Sequence, residues 1–131
     1  MINSLNFLIP EIFLTFSIFF VLMVGVFLKK SFNIVYNLSI LILLICISII
    51  LNSSNIEEKI FLDSFIRDAF SNFFKVLILI SSLFVLTSSK DYITANKIDK
   101  FEYPIIVLIS ILGMFFMVSS NDLILFYLGL E

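Results

Sequence analysis

Apolar residues gather in long continuous runs along this chain, and short polar stretches separate the runs. A helix that crosses a membrane needs about 20 mostly apolar residues, within a range of roughly 17–25. The runs therefore predict four complete membrane-spanning helices and the first turns of a fifth. Strands of a membrane barrel would instead alternate apolar and polar positions over about 10 residues. The predicted helices cover residues 5–28, 34–51, 69–88, 103–118 and 123–131.

Polar residues predict where these helices begin. Pro10 falls within the first turns of the first helix, where its missing N–H costs little. Glu11 follows it and complements the positive end of the helix dipole. The run Ser119–Asp122 is typical of a helix start, and Asp122 is expected to cap the fifth helix at the outer surface. A transport role for Glu11 and a proton-exit role for Asp122 remain as alternatives.

Two polar stretches are too charged to span a membrane. The first covers residues 52–68. Its later part, "IFLDSFIRDAF", alternates apolar pairs with charges and predicts a short helix along the membrane interface. The second stretch covers residues 89–102 and is predicted to be a loop.

Composition supports an integral membrane protein. The chain has 131 residues, of which 61% are hydrophobic and 14% charged, and its mean hydropathy is +1.19. A typical soluble domain has roughly 45–50% apolar and about 25% charged residues. The expected fold is an all-α, polytopic bundle in a lipid bilayer. The net charge of −2 without a basic cluster gives no support for nucleic acid binding.

Cysteine and histidine content limits the chemistry of the chain. Cys46 is the single cysteine and the sequence has no histidine, so an internal disulfide and a Cys/His zinc site are both excluded. The N-terminal run lacks a basic region and a small-residue cleavage site. The first apolar segment is therefore expected to remain as a membrane helix.

Basic residues in the loops predict the orientation. One side of the membrane would carry five of them and the other side two: Lys29, Lys30, Lys90, Lys97 and Lys100 against Lys59 and Arg67. Loops that are rich in lysine and arginine stay in the cytoplasm, or in the equivalent compartment. The N-terminus is therefore predicted to lie outside.

Glu131 is the first candidate functional residue. Nine residues from Leu123 to Glu131, at about 1.5 Å each, place its carboxylate roughly 13–14 Å deep. That depth is near the middle of a hydrocarbon core about 30 Å thick. A carboxylate there costs several kcal/mol, about 3 on insertion scales, unless it is protonated, paired or hydrated, and such acids often belong to proton paths. A neutral glutamic acid hydrogen-bonded between helices is the alternative.

The stop at Glu131 predicts that the chain is part of a longer protein. An end there would place two acids and unpaired backbone carbonyls in hydrocarbon. More helices are therefore expected to follow.

Lys75 is the second candidate, about two turns into the predicted third helix. Its side chain is expected to extend to the outer interface. In the alternative it faces the bundle beside Ser71 and Ser82, which share its helical face. Gly113 and Gly129 are predicted to be points of close packing between helices.

The last thirty residues, "EYPIIVLISILGMFFMVSSNDLILFYLGLE", resemble the fourth and fifth helices of subunit N of respiratory NADH:quinone oxidoreductase, complex I. They share an aromatic start, a long apolar run, a short Ser-containing turn ending in Asp-Leu, and a Tyr-Leu-Gly-Leu-Glu ending. "FIRDAFSNFFKVLILISSLFVL" and "LIPEIFL" resemble the third and first helices of the same family more loosely. The family's full chain has about fourteen helices, so the resemblance implies that this chain is its N-terminal third or so.

The resemblance implies a proton-pumping subunit of the membrane arm, placed in the inner membrane of a bacterium or a mitochondrion beside other membrane-arm subunits. It implies no redox site and no cofactor on this chain, although the assembly uses NADH, FMN, iron–sulfur clusters and quinone. The subunit would be an enzyme component only as part of that translocase. The family's fifth-helix glutamate corresponds to Glu131, in "YLGLE". Its partner lysines would lie on later helices. Lys75 and Asp122 remain candidates for a secondary polar path.

Two other functions stay open. A small four-helix, proton-coupled exporter that acts as a dimer would fit the size. It needs an acid embedded in the first helix, and Glu11, beside Pro10, is expected to lie too close to the membrane rim. A purely structural membrane subunit without a proton path is the other alternative.

Overall fold

The computed structural model describes residues 8–28, 32–52, 58–60, 65–67, 69–96 and 100–131. Four helices are long and apolar enough to cross a membrane, judged by length and composition. A short fifth helix follows them, so the predicted all-α, multi-pass architecture is confirmed. The helices are α1 (Ile9–Phe27), α2 (Phe32–Asn52), α3 (Ala69–Ala95), α4 (Glu102–Ser119) and α5 (Leu123–Leu130).

Helix α3 is longer than predicted, because it ends at Ala95 and not at residue 88. Its final residues are polar but contain neither Gly nor Pro. Their hydroxyl groups bond back to carbonyls of the preceding turn, as in Ser89 to Leu86 and Thr94 to Lys90. These bonds are compatible with a helix. With 27 residues, α3 is about 40 Å long, which exceeds a hydrocarbon core of about 30 Å.

The connection between α2 and α3 contains a small antiparallel pair of strands. Strand β1 (Glu58–Ile60) pairs with β2 (Phe65–Arg67), with Ile60 opposite Phe65. The predicted interfacial helix is therefore wrong for Phe65–Arg67. Pairing across the loop satisfies backbone N–H and C=O groups that a polar loop would otherwise leave to water.

The four long helices run up and down. Helix α1 packs against α2 and α4, and α3 packs against the same two helices. Helices α1 and α3 therefore occupy opposite corners, while α2 and α4 also touch across the bundle. Side-chain contacts define the two ends of the bundle. Glu11 meets Lys75 at one end, called the Glu11 end, and Tyr36 meets Ser89 at the other, called the Tyr36 end.

The interior of the bundle is filled by apolar side chains from all four long helices. Large apolar side chains also remain exposed around the outside, including Phe16, Phe19 and Phe84. An apolar surface of this extent is unfavourable in contact with water and favourable in contact with lipid chains. The fully buried apolar residues are Leu14, Val21, Val35, Leu43, Cys46, Leu79, Leu86, Leu108, Ile111 and Phe115.

Candidate functional site

A buried ion pair joins opposite corners of the bundle. Lys75 Nζ of α3 donates to Glu11 Oε1 of α1. The Lys75 side chain is 2% exposed and the Glu11 side chain 3%. Because α1 and α3 are not direct packing neighbours, this pair crosses the interior between α2 and α4.

Helical periodicity places Lys75 on the inner face of α3. Ser71, Leu79 and Ser82 precede and follow it at one- or two-turn spacing, and all three are buried. Glu11 lies in the first turn of α1, directly after Pro10. The carboxylate therefore lies at the positive end of α1 and beside the ammonium of Lys75 from α3.

Helix α4 also packs beside the ion pair. Lys75 Nζ lies 5.7 Å from the centroid of the Phe115 ring, within the range of a cation–π interaction. One turn further along α4, the Ser119 hydroxyl lies 3.5 Å from the Ser71 hydroxyl of α3. The cation therefore has a carboxylate on one side and an aromatic face on another.

The two carboxyl oxygens of Glu11 differ in their hydrogen bonding. No hydrogen-bond donor among the described residues reaches Glu11 Oε2, although the atom is buried. A groove with a volume of about 200 Å³ adjoins the residue and is otherwise mostly apolar. It is lined by Leu8, Glu11, Ile12, Thr15, Phe16 and Phe116.

The structure corrects one prediction about this pair. Lys75 does not extend to the interface; the alternative, a side chain that faces the bundle beside Ser71 and Ser82, is confirmed. Glu11 occupies the first helical turn as predicted. Its burial against the other helices was not predicted. An apolar helix with a lysine on the same face as two serines was the only signal for this site. It could not identify the partner.

Glu131 follows the last residue of α5 and is exposed. Its backbone N–H donates to the Tyr127 carbonyl over 3.1 Å, which continues the helical pattern. Within the described residues, Glu131 makes no ion pair with Lys75. The structure thus brings Lys75 together with Glu11 and leaves Glu131 apart from them.

Asp122 is the N-cap residue of α5, as predicted by position. Its backbone carbonyl accepts a hydrogen bond from Phe126 N over 3.0 Å. Its side chain makes no capping hydrogen bond, so that part of the prediction is wrong.

A second polar cluster lies at the Tyr36 end, and no pattern in the sequence predicted it. The buried Tyr36 hydroxyl donates to the Leu86 carbonyl and lies 2.9 Å from the Ser89 hydroxyl. Lys90 Nζ lies 5.6 Å from the Tyr36 ring centroid and donates to Asn37 Oδ1 over 3.1 Å. These contacts fix α2 against α3 at this end.

Two glycines bring α4 and α5 together, as predicted. A Cβ on Gly113 would lie 2.7 Å from the Gly129 carbonyl oxygen. A Cβ on Gly129 would lie 2.9 Å from both the Gly113 oxygen and the Met117 nitrogen. These are backbone atoms, so no side-chain rotation relieves the overlap.

No group of three or more His, Cys, Asp or Glu side chains that could hold a metal ion occurs in the part of the chain that the structure describes. The candidate groups are the Glu11–Lys75 ion pair with its nearby hydroxyl groups and, apart from it, Glu131 at the end of α5. Such groups can bind and release protons.

Comparison with known proteins identifies the relatives of this chain. It is 46% identical over 130 residues to NADH-quinone oxidoreductase subunit N of Pelagibacter ubique, which covers 98% of this chain. The corresponding protein of Beijerinckia indica is 39% identical over 124 residues, or 94% of the chain. Subunit N 1 of Rhizobium meliloti is 35% identical over 133 residues, or 100% of the chain. No family model matches the chain.

The alignments cover only part of each relative. The matched region amounts to 28% of the Pelagibacter protein, 26% of the Beijerinckia protein and 27% of the Rhizobium protein. The chain therefore spans about a quarter of the length of the curated relatives that it matches. The matched relatives are subunits of an oxidoreductase and not exporters, so the exporter alternative is not taken further. Over the stretch that it spans, the chain belongs to the family of NADH-quinone oxidoreductase subunit N.

Proposed function

We propose that this chain is part of a proton-translocating, membrane-arm subunit of NADH:quinone oxidoreductase in a bacterial or mitochondrial inner membrane. The observation that carries the proposal is the identity of 35–46% with proteins named subunit N of that enzyme, over nearly the whole chain. Its partners would be the other membrane-arm subunits and the bilayer. Oxidation of NADH and reduction of quinone would take place on other subunits.

Glu131 is the residue proposed to carry protons in this path. The four spanning helices hold α5 against α4 at the close contact of Gly113 and Gly129, which fixes the direction of α5. A carboxylate about nine residues into such a helix lies near the middle of a bilayer. Acids at that depth can relay protons when a basic or hydrated partner is near.

The substitution Glu131→Gln tests the proton path. The variant is made in the full-length protein within its native complex, in inverted membrane vesicles. Glutamine keeps the size of the side chain but cannot take up and release a proton, so NADH-driven proton pumping should fall by about tenfold or more. The measurements are NADH:quinone reductase activity and vesicle acidification, with complex assembly checked on native gels.

Glu102→Gln is the matched control. Glu102 is an exposed acid in the first turn of α4, and its substitution should leave pumping unchanged. Normal pumping by the Glu131→Gln complex would reject the proton path and favour a structural subunit. Membership of the complex is tested separately: a tagged full-length chain should copurify with NADH dehydrogenase activity.

A further inference from the structure

We infer that the buried Glu11–Lys75 pair is a second proton-binding site, at the Glu11 end of the bundle and separate from Glu131. Glu11 takes up one proton on Oε2 and releases it again, while Lys75 stays an ammonium. The bound species is a single proton. The inference does not depend on Glu131 being part of a proton path.

The two carboxyl oxygens of Glu11 have different surroundings. Oε1 accepts from Lys75 Nζ, whereas Oε2 is buried without a donor among the described residues. A carboxylate carries negative charge on both oxygens, and a buried charged oxygen without a donor is costly. A proton on Oε2 removes that charge, and it leaves Oε1 able to accept from Lys75.

Opposing effects act on the two protonation states of the Glu11 carboxyl. Lys75 and the first turn of α1 favour the carboxylate, because each places positive charge beside it. Burial favours the neutral acid, because it removes the carboxylate from water. The Phe115 ring, 5.7 Å from Lys75 Nζ, offers the ammonium a cation–π contact that does not depend on the charge of Glu11.

Among the described residues, the other titratable or polar groups near the pair come from α2, α3 and α4. Cys46 of α2 lies within electrostatic range of both residues, and α4 contributes the Phe115 ring and the Ser119 hydroxyl. Helix α3 itself contributes Ser71 and Asn72, which are both buried. At the same end, β2 packs against α3 and α4, and Asp122 begins α5.

The groove beside Glu11 provides a route. It has a volume of about 200 Å³ and is lined by Glu11, by other residues of the first two turns of α1, and by Phe116 of α4. The proton balance is simple: one proton from the groove forms the Oε2–H bond, and the same bond breaks on release. Protonation turns the ion pair into a hydrogen bond between an acid and an ammonium, and the link between α1 and α3 weakens.

The experiment uses N,N′-dicyclohexylcarbodiimide, an apolar reagent, on the full-length protein in its native membranes. The acid O–H adds across one C=N bond, and the adduct rearranges to a stable N-acylurea without loss of any atom. Only the protonated acid reacts. Peptide mass spectrometry reads modification at Glu11, which should fall about tenfold per pH unit once the pH passes the midpoint of protonation.

Lys75→Met shows whether the reagent reaches the site. Without the ammonium, the buried acid should stay protonated, so labelling at Glu11 should rise and persist to higher pH. If Lys75→Met is labelled and the unmodified protein is not labelled at any pH, the pair is permanently ionised and the inference is wrong. Labelling of the unmodified protein that does not change with pH would also overturn it, since Glu11 would then be permanently neutral.

Infrared difference spectra provide a second measurement that needs neither the reagent nor Lys75→Met. Lowering the pH should produce the carbonyl band of a protonated carboxylic acid, and Glu11→Gln should lack this band. If the spectra of the unmodified protein and Glu11→Gln do not differ, Glu11 takes up no proton and the inference fails.

Discussion

At the scale of single residues, the Glu11–Lys75 pair is the most unusual feature of this chain. Burying two charges costs several kcal/mol per ion, about as much as their attraction returns. Such a pair therefore adds little to the free energy of unfolding. An arrangement of helices that separated the two charges, however, would leave each of them buried without a counter-ion, which is strongly unfavourable. We interpret the pair as fixing which faces of α1 and α3 point inward.

Removing one member of the pair should destabilise the protein. Lys75→Met leaves the Glu11 carboxyl buried without its partner, and the free energy of unfolding should fall by about 1–3 kcal/mol even with the acid protonated. The double substitution Glu11→Leu with Lys75→Met removes both charges and should recover most of that loss. Thermal unfolding of the full-length protein in detergent micelles measures both effects.

Lys100→Met is the control for this pair of variants. Lys100 is exposed, so its substitution should change the free energy of unfolding by less than about 0.5 kcal/mol. A double variant that is no more stable than Lys75→Met alone would contradict the ion-pair interpretation.

At the scale of helices, α5 depends on its contact with α4. None of the residues of α5 is buried, and its large apolar side chains are exposed. The close approach at Gly113 and Gly129 therefore supplies much of what positions α5. Small residues allow this approach, because backbone atoms of the two helices can then come into direct contact.

Gly113→Ala should separate α4 from α5. The new Cβ would overlap the Gly129 carbonyl oxygen, and overpacking of this kind costs about 1–3 kcal/mol. Ser110→Ala is the control, since Ser110 is exposed on α4 and its hydroxyl donates to the Val107 carbonyl of the same helix. Thermal unfolding in micelles compares the two variants, and equal stabilities would show that this contact does not position α5.

At the scale of the whole molecule, alternating helix directions place the helix ends in two layers. The N-termini of α1, α3 and α5 share the Glu11 end, and their C-termini point toward the Tyr36 end. In the sequence, the polar stretches at the C-terminal ends of α1 and α3 contain five basic residues, so the Tyr36 end is predicted to lie inside.

Cysteine labelling in sealed vesicles tests this orientation. With Cys46→Ser as background, Asn96→Cys should react with a membrane-impermeant maleimide added from the inner side. Asn121→Cys, in the turn before α5, should react only from the outer side. The reverse pattern would show that five basic residues against two do not set the orientation of this chain.

The sequence by itself determined the membrane class, four spanning helices and a fifth helix start. Apolar runs of sufficient length have one stable form in lipid, because a helix satisfies its own backbone hydrogen bonds. The sequence also indicated the glycine contact between α4 and α5, since glycine lets helices approach closely. Helix ends were less well determined: α3 continued to Ala95 because polar residues outside the membrane can still form a helix.

Only the tertiary structure decided which partners the polar residues have. The sequence placed Lys75 on a face with Ser71 and Ser82, but helical periodicity does not say which helix that face meets. Glu11 lies 64 residues away, on a helix that is not a direct neighbour of α3. The pair exists because α2 and α4 separate α1 from α3 by a distance that a lysine side chain can cross. That distance is a property of the assembled bundle and of no single segment.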